Sequence, residues 1–136
     1  MTARATEATT CIHIVGLVVD DDVLVRELVA EVLEDLCERV YQAGDGIEGL
    51  EILRQHPDIA VLVTDISMPR LDGVAFAEQA RQFRPDLKVL FLSGMEHPPG
   101  REEFLAKPFP ARSLVAAVHH LMDERRIRPV GRPRPV

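Results

Sequence analysis

Five polar side chains in this 136-residue sequence follow directly on apolar runs. Asp20 and Asp21 follow the run at 14–19, Asp65 follows 59–64, Ser93 follows 88–92, and Lys107 follows a short segment near 103–106. Carboxylates brought close together repel, which raises their pKa values unless a cation is supplied. Lys107 offers one positive charge against three acids, leaving about two negative charges in excess. A hard divalent cation with oxygen ligands would neutralise them, and Mg²⁺ suits because it accepts few carboxylates and keeps waters. Such a site fits phosphoryl transfer, in which catalysis is mostly positioning and neutralisation of charge on the transferring oxygens. One carboxylate could attack phosphorus, Ser93 could hydrogen-bond a phosphoryl oxygen, and Lys107 could pair with another.

These residues can meet only if the apolar runs lie side by side. Residues 14–19 are rich in β-branched types, and 59–64 are almost continuously apolar, as in a parallel strand covered on both faces. Shorter strands are expected at 39–43, at 88–92 ending on Ser93, and near 103–106. Between them, Val25, Leu28, Val29, Val32, Leu33 and Leu36 mark one face of an amphipathic helix, which Asp22 is placed to cap. Ile47, Leu50 and Leu53 mark a second helix closed by His56-Pro57, and Phe76, Ala80 and Phe83 the inward face of a third. Leu114, Val115, Val118, Leu121 and Met122 define a C-terminal helix. Alternating strands and helices imply a doubly wound α/β fold with a parallel sheet and right-handed crossovers. Sites in such sheets lie beyond the carboxyl ends of the strands, where all five polar residues fall.

Composition narrows the function classes. With 46% hydrophobic and 28% charged residues the chain has the make-up of a globular domain, and its length suits one domain. No apolar run reaches the roughly 18–20 residues of a membrane span, and residues 1–10 lack the order of a secretory signal. Two cysteines, Cys11 and Cys37, cannot frame a disulfide scaffold or a four-ligand zinc site; a cytoplasmic protein is expected. A net charge of −6 argues against nucleic acid as the main partner. Residues 125–136 depart from this average: they hold five arginines and no acids. Pro129, Pro133 and Pro135 lie there too, so an extended or disordered basic tail is expected. It reads as a solvated end, with contact to nucleic acid or an acidic partner as the alternative.

Val18-Val19-Asp20-Asp21-Asp22, Val63-Thr64-Asp65-Ile66-Ser67-Met68-Pro69 with Leu71-Asp72-Gly73, and Lys107-Pro108-Phe109 together resemble the signature of response-regulator receiver domains. The likeness covers residues 14–123, and its specificity lies in all the pieces occurring in order at strand ends. It implies a flavodoxin-like five-stranded sheet of order 2-1-3-4-5, a receiver domain over 14–124, an N-terminal extension over 1–13 and the basic tail over 125–136. Asp65 corresponds to the phosphoacceptor. Asp21 corresponds to the acid that binds Mg²⁺ directly and Asp20 to the one that binds through water, with Ser67 giving its backbone carbonyl. Lys107 and Ser93 correspond to the phosphoryl-binding lysine and switch hydroxyl, Phe104 to the switch aromatic, and the Lys107–Pro108 bond is expected to be cis. The donor would be a phosphohistidine on a sensor histidine kinase or histidine phosphotransfer protein. No DNA-binding output domain and no membrane partner are expected, and the oligomeric state is expected to be monomer or weak dimer.

One interval departs from the family pattern. Only fourteen positions separate Ser93 from Lys107, about two helical turns fewer than is usual in the family, and Pro98-Pro99-Gly100 opposes helix there. At about 3.3 Å per residue, the eight residues 94–101 reach roughly 26 Å, enough to return along a strand of about 17–20 Å. A missing or vestigial fourth helix is expected, which alters the face it would form.

The aspartate triplet alone could be a charged helix start, Asp65 a turn residue, Ser93-Gly94 an ordinary loop, and Phe104 a plain core aromatic. His119-His120 read as helix-surface histidines, and Cys11-Ile12-His13 as a frayed first strand, before either reads as metal ligands. Gly44, Gly46 and Gly49 lack the spacing of a nucleotide fingerprint. Two functions follow: a receiver that accepts phosphate and assists its own phosphorylation and dephosphorylation without being an enzyme, or an interaction module that keeps the fold without phosphate. A hydrolase is the weakest reading, because no further general acid or water-activating residue is present.

Overall fold

Continuous apolar segments form the centre of the molecule. In the computed structural model, which describes residues 14–94, 97–100 and 102–131 (and side chains of the last helix only to Asp123), five parallel strands are present. They are β1 (Val15–Val19), β2 (Arg39–Ala43), β3 (Ile59–Asp65), β4 (Lys88–Ser93) and β5 (Phe104–Ala106), in the order β2-β1-β3-β4-β5. Every neighbouring pair is parallel. The helices are α1 (Val23–Glu34), α2 (Gly46–Gln55), α3 (Gly73–Phe83) and α4 (Ala111–Gly131). The expected N-terminal extension, with Cys11 and His13, lies outside the described residues, as do Met95, Glu96, Arg101 and 132–136.

Alternation along the strands divides the core into two layers. Leu17, Val19, Leu62, Val89 and Phe91 face α2 and α3, packing with Leu50, Leu53, Phe76 and Ala80. Val18, Val61, Val63, Leu90 and Leu92 face α1 and α4, packing with Val29, Leu33, Leu114 and Val118. β1, β3 and β4 are thus buried on both sides, which explains why their central residues are almost all apolar. Asp22 caps α1, accepting from the Leu24 and Val25 amides at 3.0 and 3.3 Å. Asp72 caps α3 by accepting from Ala75 N–H at 2.9 Å.

The helix faces are narrower than the periodicity predicts. Leu28 is 63% exposed, Ile47 56% and Phe83 38%. α4 also corrects an expectation: its backbone continues through 125–131, where an extended tail was anticipated.

The expectation of a missing or vestigial fourth helix is not supported: four helices are present among the described residues, the fourth following β5. In the β4–β5 connection the described residues, Gly94, 97–100, Glu102 and Glu103, are not helical. That connection is fixed to α3 by Glu102, whose carboxylate accepts from Arg81 Nη1 and Nη2 at 2.8 and 2.9 Å. The Phe91 amide donates to Glu103 C=O at 3.0 Å, carrying the segment into β5.

Candidate functional site

The strands end together, and their last residues meet. Asp20 leaves β1 fully buried, and its amide donates to Ala43 C=O at 3.2 Å. Asp65 closes β3 at 7% exposure, while Asp21 is exposed. The three offer carboxylate oxygens that all lie within 4.8 Å of one another. Lys107, just past β5, places Nζ 3.2 Å from Asp65 Oδ1 and 3.5 Å from Asp20 Oδ2. Its amide donates to Ser93 C=O at 2.7 Å, which ties lysine and serine together at the ends of β4 and β5. The Lys107–Pro108 bond is cis, as expected. Ser93 is buried and stands one residue past Leu92, the register partner of Asp65.

The electrostatics follow from burial and crowding. Burial pushes the Asp20 carboxyl above its ordinary value, opposed by the Asp22 amide, which donates to Oδ1 at 2.9 Å, and by Lys107. Burial also raises Asp65, helped by the Asp20 charge and opposed by Lys107. For Lys107 burial alone would lower the pKa, but Asp20 and Asp65 together outweigh it and hold the ammonium above its usual value. Three hard oxygen donors with one lysine among them leave excess negative charge, a donor set that fits a hard divalent cation.

Gly73 shapes the acid's backbone. A Cβ there would stand 2.1 Å from Asp65 O and 2.9 Å from Ile66 Cα, and the glycine amide donates to Ile66 C=O at 2.8 Å. Backbone cannot yield as a flexible side chain does. Gly73→Ala is expected to cost at least about 1–3 kcal/mol, read as a lower urea midpoint with an unchanged slope.

Of the residues singled out from sequence, Asp20, Asp21, Asp65 and Lys107 converge, and Ser93 joins them through the Lys107 amide. Ser67 is exposed in the β3–α3 loop, two residues past Asp65. Phe104 lies elsewhere: it pairs in register with Phe91, its ring meets His97 edge-on at 4.7 Å, and it is 38% exposed. The plain core-aromatic reading of Phe104 fails on that exposure. Sequence reasoning passed over Arg26, whose Nη1 donates to Asp20 C=O at 3.1 Å and whose Nε donates to Gln42 Oε1 at 3.1 Å. It also passed over an ion pair between Arg70 and Asp45. Neither pair had a local signal.

A doubly wound sheet with buried acids and a lysine at its carboxyl edge defines a class that comparison with known proteins makes specific. The response regulator receiver domain family matches residues 17–119. The chain is 37% identical over 122 residues to response regulator MprA of Mycobacterium leprae (strain TN), covering 83% of this chain and 52% of that protein. It is 31% identical over 114 residues to response regulator receiver protein CpdR of Brucella abortus (strain 2308), covering 78% of this chain and 94% of that protein. A response regulator receiver domain protein from Clostridium thermocellum superposes with a TM-score of 0.76 at 27% identity, over 84% of this chain and 98% of that one. The chain belongs to the response-regulator receiver family of two-component systems. It spans about half the length of the MprA relatives it matches. Among the described residues no helix is long and apolar enough to cross a membrane.

Proposed function

We propose that the chain accepts a phosphoryl group onto Asp65 from a phosphohistidine of a sensor kinase or phosphotransfer protein, in a Mg²⁺-dependent reaction, and signals by protein–protein contact. The observation that carries this reading is the meeting of Asp20, Asp21 and Asp65 around one lysine, with Lys107 Nζ 3.2 Å from Asp65 Oδ1. A binding module has no physical need to crowd repelling acids at a partly buried site.

In this reading an Asp65 carboxylate oxygen attacks phosphorus, the bond to the donor imidazole nitrogen breaks, and the imidazole leaves with the electron pair. Asp20, Asp21, Asp65 and the Ser67 carbonyl would hold the cation, which supplies neutralising charge to the phosphoryl oxygens when bound. Lys107, which already bridges two of the acids, pairs with a second phosphoryl oxygen, and the Ser93 hydroxyl donates to a third. Burial of Asp20 and Asp65 strengthens each of these attractions by lowering the local dielectric. Phe104, at the start of β5, is the residue through which occupancy of Ser93 would be read at the surface. Glu102, two residues before Phe104, ties the start of β5 to α3 through Arg81. Exposure to a small phosphodonor with and without Mg²⁺, followed by intact mass, tests the proposal.

A further inference from the structure

The β3–α3 loop, which carries Ser67, is fastened to α2 at two consecutive positions. Arg70 has φ 71°, in the left-handed region that residues other than glycine rarely adopt. Its guanidinium pairs with Asp45 across 25 positions of sequence. Asp45 is itself fixed: it caps α2, accepting from Glu48 N–H at 2.8 Å. That hydrogen bond, with the Arg70 charge beside it, holds its carboxyl below the usual value against some burial. One residue on, Leu71 closes over Gly46, where an added Cβ would come within 2.9 Å of Leu71 Cδ2. A left-handed arginine persists here because its surroundings hold it there.

We propose that Arg70 is a positioning residue: its clasp with Asp45 sets the loop so that the Ser67 carbonyl and the Asp65 carboxylate are presented together to the cation. The partner of Arg70 is Asp45, not one of the three acids of the cluster. This inference rests on the proposed reading of Asp65 and Ser67 as cation ligands. A purely electrostatic role for Arg70 makes the opposite prediction. Removing a positive charge near an acid cluster strengthens cation binding, whereas loosening the loop weakens it. The sign of the change therefore separates the two.

The test is calorimetric titration of the whole chain with Mg²⁺, alongside urea denaturation, for the wild type, R70G, R70K, D45N, the R70G/D45N double variant and D65N. Glycine accepts φ 71° without strain, so R70G is expected to hold its stability. Asparagine keeps the cap but gives up the ionised carboxylate that the fold favours, so D45N is expected to lose a little stability at neutral pH while staying folded, which the urea series measures. Because the Arg70 side chain is 68% exposed, the clasp is worth roughly twofold to fivefold in affinity. R70G and D45N are each expected to weaken Mg²⁺ binding by that factor, the double variant by no more than either, and R70K by less. The phosphorylation rate at saturating Mg²⁺ is expected to stay at the wild-type value. Tighter binding in R70G, unchanged binding, or a double variant equal to the product of the singles would each overturn the positioning role. Binding that D65N abolishes but R70G leaves alone overturns only that role. No Mg²⁺ binding in the wild type overturns the cation site and the clasp with it.

Discussion

Lys107→Met is expected to slow phosphorylation of Asp65 by two to three orders of magnitude at saturating Mg²⁺, on the order of the loss seen when one preorganised charge-stabilising donor is removed. The methionine stem fills much the same space, so the loss falls on the ammonium. That ammonium sits 3.2 Å from one acid and 3.5 Å from another. It is therefore already in place before phosphate arrives, and little reorganisation is needed during transfer. Lys107→Arg is expected to recover only part of the rate, because a planar fork replaces a compact point charge. A time course of intact mass with a small phosphodonor measures all three proteins. Equal rates for the wild type and Lys107→Met would remove the lysine from the chemistry.

Asp65→Asn is expected to stabilise the metal-free protein at pH 7 and to destabilise it relative to wild type once Mg²⁺ is added. Asp20 and Asp65 both have raised carboxyl pKa values, first through burial. A raised folded-state pKa means that the folded protein binds the proton more tightly than the unfolded chain does. The resulting stability is fully present below the ordinary value of 3.8 and is lost as pH rises through the raised values. At neutral pH the crowded, ionised acids therefore cost stability. Removing one charge returns about 1–3 kcal/mol, the cost of a poorly compensated buried group. The gain should shrink as the pH is lowered through the raised values and vanish below 3.8. Mg²⁺ at a hundred times its dissociation constant adds about 2.7 kcal/mol to the wild type and much less to the variant, which reverses the order. Urea midpoints at neutral and acidic pH, with and without Mg²⁺, are the measurement. A variant less stable than wild type in the absence of metal would mean that Lys107 overcompensates the acids.

The acid cluster was legible because each of its members interrupts an apolar run. β1, β3 and β4 are buried on both faces, so the first polar residue after each central apolar run marks a strand end, and parallel strands bring such ends to one edge. Asp22 was readable as a cap for the same local reason. Leu28, Ile47 and Phe83 were not readable as exposed: periodicity gives the direction of a helix face, whereas how much of that face is covered depends on tertiary packing. Proline-rich composition suggested an extended tail over 125–136, yet the backbone stays helical to Gly131, since composition does not show where an established helix stops. The Arg70–Asp45 and Arg81–Glu102 pairs join residues 25 and 21 positions apart. No local pattern announces such pairs, because many arginines and acids of the chain could have met. Phe104 was placed on β5 correctly, but that it is 38% exposed is a tertiary fact that its sequence position does not carry.

The most direct test of the account is intact mass after incubation with a small phosphodonor, for wild type and Asp65→Asn, with Mg²⁺ or with a chelator. The account predicts one added phosphoryl group in the wild type with Mg²⁺, little or none with the chelator, and none in Asp65→Asn under either condition. A phosphoryl group that persists in Asp65→Asn would contradict it. So would a wild type that binds Mg²⁺ yet takes phosphate from neither small donors nor a phosphohistidine protein, and the fold would then be serving as an interaction module.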